Sequence, residues 1–299
     1  MDEKESFYID DGEYIYHAQI TIMYTRDNRI LSAGLRIGGI TRGCVNMTFS
    51  SFNDNTLHIN SIDYNERCSV RGKQLARGDG TRKMINAALT YMLKHPKFGH
   101  QIEHITLNDA SNVPCIVGDN NIREVSLMYS YIALKGKTWY ESRFSAVIRD
   151  VTLKKSYEAC IQKLYDPLFK ASVTSNSMYD RMIAERINTH VANDLTTLYS
   201  DSSTLNEFFN RIHRDHTFCV VTYRWIDIFI DFVIFKGTIS SQTIWEIPIN
   251  KIVCVELHIT PADGPPQDVF PIKGGTSSRM QRYHQSHGAY SHRYGWVLN

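Results

Sequence analysis

The chain has 299 residues, 42% hydrophobic and 21% charged, which is enough to bury a substantial core in one large domain or two. A formal net charge of only +2 does not imply general affinity for nucleic acid, although local basic segments can still act. The composition is that of an ordinary soluble globular protein. In chain order, Tyr14 to Tyr24 and Ile30 to Ile40 predict strands joined by the turn Arg26-Asp27-Asn28, and Val45 to Phe52 with Thr56 to Tyr64 predict a second pair around Asn53-Asp54-Asn55. The four form a meander. A glycine turn follows, then a helix from about Gly80 to His95 that Pro96 breaks, and a strand from Gln101 to Leu107. A loop rich in Asn, Asp and Gly runs to Asn121, and a second helix spans Ile122 to Lys135.

From about residue 150 the pattern is helical: Val151 to Tyr165, ended by Pro167, then Ser177 to Tyr199 and Ser203 to His213, with serine-rich joints that can cap the helices they precede. Phe218 to Phe235 is the most apolar window. Arg224, Asp227 and Asp231 interrupt it, which makes a membrane span too costly, so it predicts strand. Thr243 to Ile259 predicts another. After Pro261 the chain becomes loop-like, and its last residues are rich in Arg, His and Tyr.

Arg71 to Asn86, RGKQLARGDGTRKMIN, holds three glycines and five cations ahead of an amphipathic helix with Met84, Ile85, Ala88, Leu89, Met92 and Leu93 at helical spacing. Gly78 and Gly80 free the backbone to turn tightly. A helix start carries unpaired N–H groups and partial positive charge, so a phosphate placed there gains hydrogen bonds and electrostatic stabilisation together. Arg82 and Lys83 oppose the helix dipole unless an anion is bound there. A basic loop capped by a solvated helix is the plain alternative.

A meander ending in the strand to Tyr64, a basic glycine turn, a helix, a strand and a second helix together resemble the GNAT family of acetyltransferases. That resemblance implies an α+β (mixed α/β) fold with a central, mostly antiparallel sheet flanked by helices over residues 1–148. A C-terminal helical and β extension follows over 149–260, and a loop-rich basic and aromatic tail over 261–299. In the family, a Q/R-x-x-G-x-G/A turn holds the pyrophosphate of acetyl-CoA. Gly78 and Gly80 match the two glycines, while Leu75 stands where Gln or Arg is expected. The resemblance implies cofactor contacts from Arg77, Gly78, Asp79, Gly80, Thr81 and Arg82. It also implies a tyrosine acid for the CoA thiolate on the second helix, which Tyr129 or Tyr131 would supply, although neither fits the family spacing ahead of Gly136. GKTWYESRF is similar to acetyltransferase-like proteins of large DNA viruses.

Acetyl transfer to an amine needs an uncharged nucleophile, an oxyanion donor and an acid. Asp63 and Glu66, at the end of the fourth predicted strand, are placed to serve as base or are plain surface carboxylates. Tyr129 and Tyr131 lie two apart on a helix, so only one can face a cofactor. His213 and His216 sit at a helix end, where histidine is favoured without a metal, and no metal is expected. The six cysteines form no CxxC pair and read as reduced thiols, with Cys115 a remote candidate nucleophile. The acidic start MDEKESFYIDD lacks an apolar run, so the expected location is cytoplasmic, or the host cytoplasm or virion for a viral protein. The leading expectation is transfer of an acetyl group from acetyl-CoA to an amine on a small molecule or protein. The rival is a GNAT-like fold without catalysis, serving as a structural or protein-binding module that meets a partner through the extension. A third reading gives the tail, with Arg279, Arg282 and Arg293 among Tyr283, Tyr290, Tyr294 and Trp296, a role in stacking on RNA.

Overall fold

The computed structural model of the chain describes residues 2–40, 43–63, 66–72, 74–76, 78–117, 121–184, 187–215, 218–223 and 225–262, without the side chains of residues 66, 71, 72, 116, 117, 181 and 215. Five strands open the chain as an antiparallel meander: β1 (Asp2–Asp10), β2 (Tyr14–Tyr24), β3 (Ile30–Gly38), β4 (Gly43–Ser50) and β5 (Thr56–Ile62). Alternation explains them. Phe7 and Ile9, Ile20 and Ile22, Leu35 and Ile37, Met47 and Phe49, and Leu57 and Ile59 are all buried, with polar neighbours between them. β1 is the strand that sequence reading left out of the meander, because its first half, DEKES, is charged. Those charges lie where β1 has only β2 beside it, on a sheet edge, while Phe7 to Asp10 are flanked by β2 and also by β12 (His258–Pro261). The expected turns hold, with Asn28, Asp54 and Asn55 at positive φ.

After the short β6 (Arg71–Gly72), which pairs with the start of β2, helix α1 (Asp79–Lys94) packs on β3 and β4 and buries Met84, Ile85, Ala88, Leu89 and Met92. Each larger side chain gains about 1.5–3 kcal/mol from that burial, before conformational entropy is counted. Pro96 follows the helix end, and Phe98 closes it by stacking on Phe49 at 5.4 Å. β7 (His104–Asn108) then joins β5 in parallel. The other sheet face stays partly solvated, with Gln19, Arg36 and Asn60 exposed.

The expected helix from Ile122 is corrected. β8 (Asn112–Val117) and β9 (Asn121–Ser126) form a separate two-stranded sheet, and α2 (Leu127–Lys135) begins only at Leu127, where Ser126 caps it by accepting the Tyr129 N–H at 3.3 Å. Thr138 and Glu141 form a reciprocal capping box on α3 (Trp139–Phe144), and β10 (Val147–Ile148) follows. Helices α4 (Val151–Lys163), α5 (Pro167–Ser172), α6 (Ser175–Ala184), α7 (Thr189–Ser200) and α8 (Leu205–Asp215) come next. The single helix expected from Ser177 to Tyr199 is two, the second capped by Asn188.

Two helical segments correct the strands expected over Phe218 to Phe235: α9 (Phe218–Thr222), and α10 (Ile226–Phe229) running into a π-helical stretch, Ile230–Phe235. Residues 218, 219, 222, 225, 226, 229, 230 and 234 are buried, a spacing of three and four that outweighs the β-branched and aromatic content. Of the expected strand Thr243 to Ile259, only β11 (Ile244–Glu246) and the start of β12 are strand.

The chain is thus a mixed α+β protein with a large, mostly antiparallel sheet flanked by helices. Strand order is β10-β11-β7-β5-β4-β3-β2-β1-β12, with β6 beside β2 making ten. Strands from beyond residue 148 therefore supply one end of the sheet, β12, and the second strand from the other end, β11 beside β10. Residues 149–243 leave it at β10 and return on its neighbour β11, with Ile148 opposite Trp245. The expectation of six reduced thiols is also corrected, because Cys44 bonds to Cys68 and Cys115 to Cys219, leaving Cys160 and Cys254 free. Cys115 is therefore no nucleophile in this state. The partners lie 24 and 104 residues apart, so only the folded chain brings them together.

Candidate functional site

In a βαβ unit the carboxyl ends of the parallel strands and the start of the connecting helix lie at the same end, where ligands of open α/β sheets bind. Here that end gathers the end of β5, the start of α1 and the residues after β7. β5 and β7 pair from Thr56 with His104 to Ile59 with Leu107, and β5 runs on to Ile62 without β7 beside it. At the point of parting β5 carries a bulge. Ile59 faces Met47 and Ser61 faces Asn46, so Asn60 is the extra residue, and its side chain donates to Thr48 Oγ at 2.7 Å. Asp63 follows, half-buried, its N–H donating to Cys44 O at 2.6 Å. Glu66 begins a short 3-10 turn, and its side chain lies outside the described residues.

The chain then crosses to β2. Val70 N–H and Ser69 Oγ both donate to Ile15 O, at 2.7 and 3.1 Å. Gly78 has φ +75°, and a Cβ there would meet nothing within 4 Å, so this glycine serves the backbone turn. Gly80 has a different reason. A Cβ there would fall 2.9 Å from Leu75 Cγ, so the residue that replaces the expected Gln or Arg is a buried plug beneath the helix start.

The Gly80 N–H donates to Ala76 O and the Arg82 N–H to Gly78 O, so two amides of the expected phosphate cradle are committed within the chain. Thr81 is buried and Arg77 lies outside the described residues. Arg82 reaches Asp79 at 2.8 Å, and Lys83 reaches Asp79 at 3.1 Å and Glu13 at 2.5 Å. The Arg82 hydrogen bond, followed by that of Lys83, holds the Asp79 carboxyl below its ordinary range. These cations therefore balance carboxylates already present. Such exposed pairs contribute only about 0–1 kcal/mol, which a doubly charged phosphate can displace.

The tyrosines separate. Tyr131 is 2% exposed, a core residue. Tyr129 is half-buried in the first turn of α2, which packs against α10 and the π-helical stretch. Burial, with the Asp231 and Asp227 carboxylates adding, pushes its phenol up to about 12. A weaker acid is a poorer proton donor to a thiolate.

Sequence reading missed Asp109, just past the end of β7. It is 2% exposed. Ser111 donates its hydroxyl at 2.5 Å and its N–H at 3.4 Å to Oδ1, while Oδ2 is buried and has no hydrogen-bond partner among the described residues. Burial, against the Ser111 bonds and with Glu141 nearby, raises the carboxyl to about 6. Glu141 is held in turn by Thr138 N–H and by the Tyr157 hydroxyl at 2.6 Å. The sequence signal for Asp109 was position, an aspartate two residues after the expected strand Gln101 to Leu107, hidden in a polar run that read as loop.

His213 packs edge-on against Phe218, and His216 lies outside the described residues, as do the tail residues from 263 onward. Among the described residues, no group of three or more His, Cys, Asp or Glu side chains is placed to hold a metal ion, and no helix is long and apolar enough to cross a membrane. Compared with known proteins, the chain matches no family model, no curated protein and no solved structure.

Proposed function

We propose that the chain is a GNAT-like acyltransferase that moves an acetyl group from acetyl-CoA to an amine, working at the carboxyl ends of β5 and β7. The observation that carries this reading is the parallel β5–α1–β7 unit, whose strands part beyond Ile59 and Leu107 where β5 bulges at Asn60. In this reading an extended ligand arm lies along β5 beyond its pairing with β7, where the bulge takes backbone groups out of the ladder with β4. The open space at Gly78 and the half-buried cations Arg82 and Lys83 suit a phosphate at the start of α1. In the reaction, the amine nitrogen bonds to the thioester carbon as the C–S bond breaks. In this reading the amine proton passes to a base, for which Asp63 is the candidate, and the thiolate takes a proton from an acid, for which Tyr129 is the candidate.

A second reading, a GNAT-like module without catalysis, is favoured by Leu75 beneath Gly80 and by the raised Tyr129 phenol. Calorimetric titration with acetyl-CoA separates the two. The first expects micromolar binding that weakens at least tenfold in Arg82→Glu and is unchanged in Arg26→Glu, a remote exposed control. If the intact chain does not bind, the second reading stands.

A further inference from the structure

The hairpin β8–β9 stands outside the ten-stranded sheet with only its own two strands, and such a ribbon is marginal in water without further support. Its inner side buries Val113, Cys115 and Val125, while Arg123 and Glu124 are exposed. Helix α9 is five residues long, well short of the length at which a helix sustains itself. Two elements that cannot stand alone are joined by the Cys115–Cys219 bond, which ties the segment between β7 and α2 to the inserted helices.

Further contacts converge there. The Leu127 N–H donates to Ser111 O at 2.8 Å, closing the base of the hairpin, and α10 packs against α2. The other bond sits differently. Cys44 lies in β4, laddered to β3 on one side and β5 on the other, so that strand keeps its place whether or not the bond to Cys68 is made.

We propose that Cys115–Cys219 is a redox latch: when oxidised it holds hairpin β8–β9 on α9, and when reduced it lets both come away and loosens the start of α2 while the main sheet stays intact. Reduction by a dithiol breaks the S–S bond. Two electrons and two protons pass from the dithiol to Sγ of Cys115 and Cys219, leaving two thiols, and the reductant becomes its own disulfide. Oxidised glutathione reverses the step through a mixed disulfide and is reduced to two thiols. The proposal goes beyond the acyltransferase reading and does not depend on it.

The test uses the full chain. A non-reducing peptide map should contain a Cys115 peptide linked to a Cys219 peptide, and a map without that link overturns the proposal. Hydrogen exchange is then compared for oxidised protein, protein in dithiothreitol, protein reoxidised with glutathione disulfide, and a Cys115→Ser/Cys219→Ser double variant. The latch predicts at least tenfold faster exchange in residues 112–126 and 218–223 on reduction, the same in the variant, no change in 43–50, and recovery on reoxidation. Should the variant fail to fold, the reduced and reoxidised wild-type samples carry the test alone. Unchanged exchange in the hairpin, or faster exchange throughout the sheet as well, contradicts a local latch.

Discussion

A carboxyl with one oxygen bonded and the other buried without a partner favours its neutral form, and Asp109 is held at about 6 against an ordinary 3.8. The folded state therefore keeps a proton that the unfolded state has already lost between those values. Its stabilising contribution is present below about pH 4 and is lost as pH rises through about 6, a swing on the order of 3 kcal/mol. Asp109→Asn keeps an acceptor for Ser111 without the charge. It should stabilise the protein by up to that amount in urea unfolding at pH 7.5 and change little at pH 4. Loss of stability at pH 7.5 would show that the ionised group is needed. At this scale the sequence was least informative. Gly78 and Gly80 stood out as a pair, yet one serves a turn and the other gives room to Leu75, and only contacts distinguish them. Tyr129 and Tyr131 were correctly set on one helix, but which faces the interior depends on α8 and α10 packing against α2.

Elements were legible where a single period governed them. β2 begins and ends at Tyr14 and Tyr24, and α1 lies within a residue of its expected start and end, because each buries one face against one neighbour. The reading failed over 218–235, where bulky apolar residues suit either a buried strand or a buried helix and a π turn shifts the period. It also failed at Asn121–Ser126, a strand running directly into a helix without a glycine or proline to mark the join. Helix ends give a direct comparison. Gly136, φ +66°, caps α2, and a Cβ there would fall 2.1 Å from the Tyr165 hydroxyl oxygen, whereas Gly78, φ +75°, has open space. Gly78→Ala meets no clash and should therefore cost only the backbone strain of a side chain at φ +75° and ψ −73°, about 1–3 kcal/mol. Gly136→Ala should cost clearly more, because Tyr165 must also move. Paired thermal melts check the order, and equal losses would contradict the packing described at Gly136.

At the scale of the molecule, fold class and the leading meander followed from pattern, while the insertion of 149–243 between two paired strands did not, since β10 and β11 are only two and three residues long. Such short strands exist because the sheet edge recruits them. The Cys44–Cys68 bond closes a 24-residue span over the end of β5. Replacing both cysteines with serine should lower unfolding free energy by about 3 kcal/mol in urea titration, on a loop-entropy basis. An unchanged midpoint would mean that the loop is already ordered in the unfolded chain. The central claim concerns one end of the parallel pair, and amide chemical-shift mapping of the 15N-labelled protein during acetyl-CoA titration tests it most directly. The account predicts that the largest shifts fall together at residues 60–63, 78–82 and 107–109. Saturating shifts confined to other residues, or none at all, would contradict it.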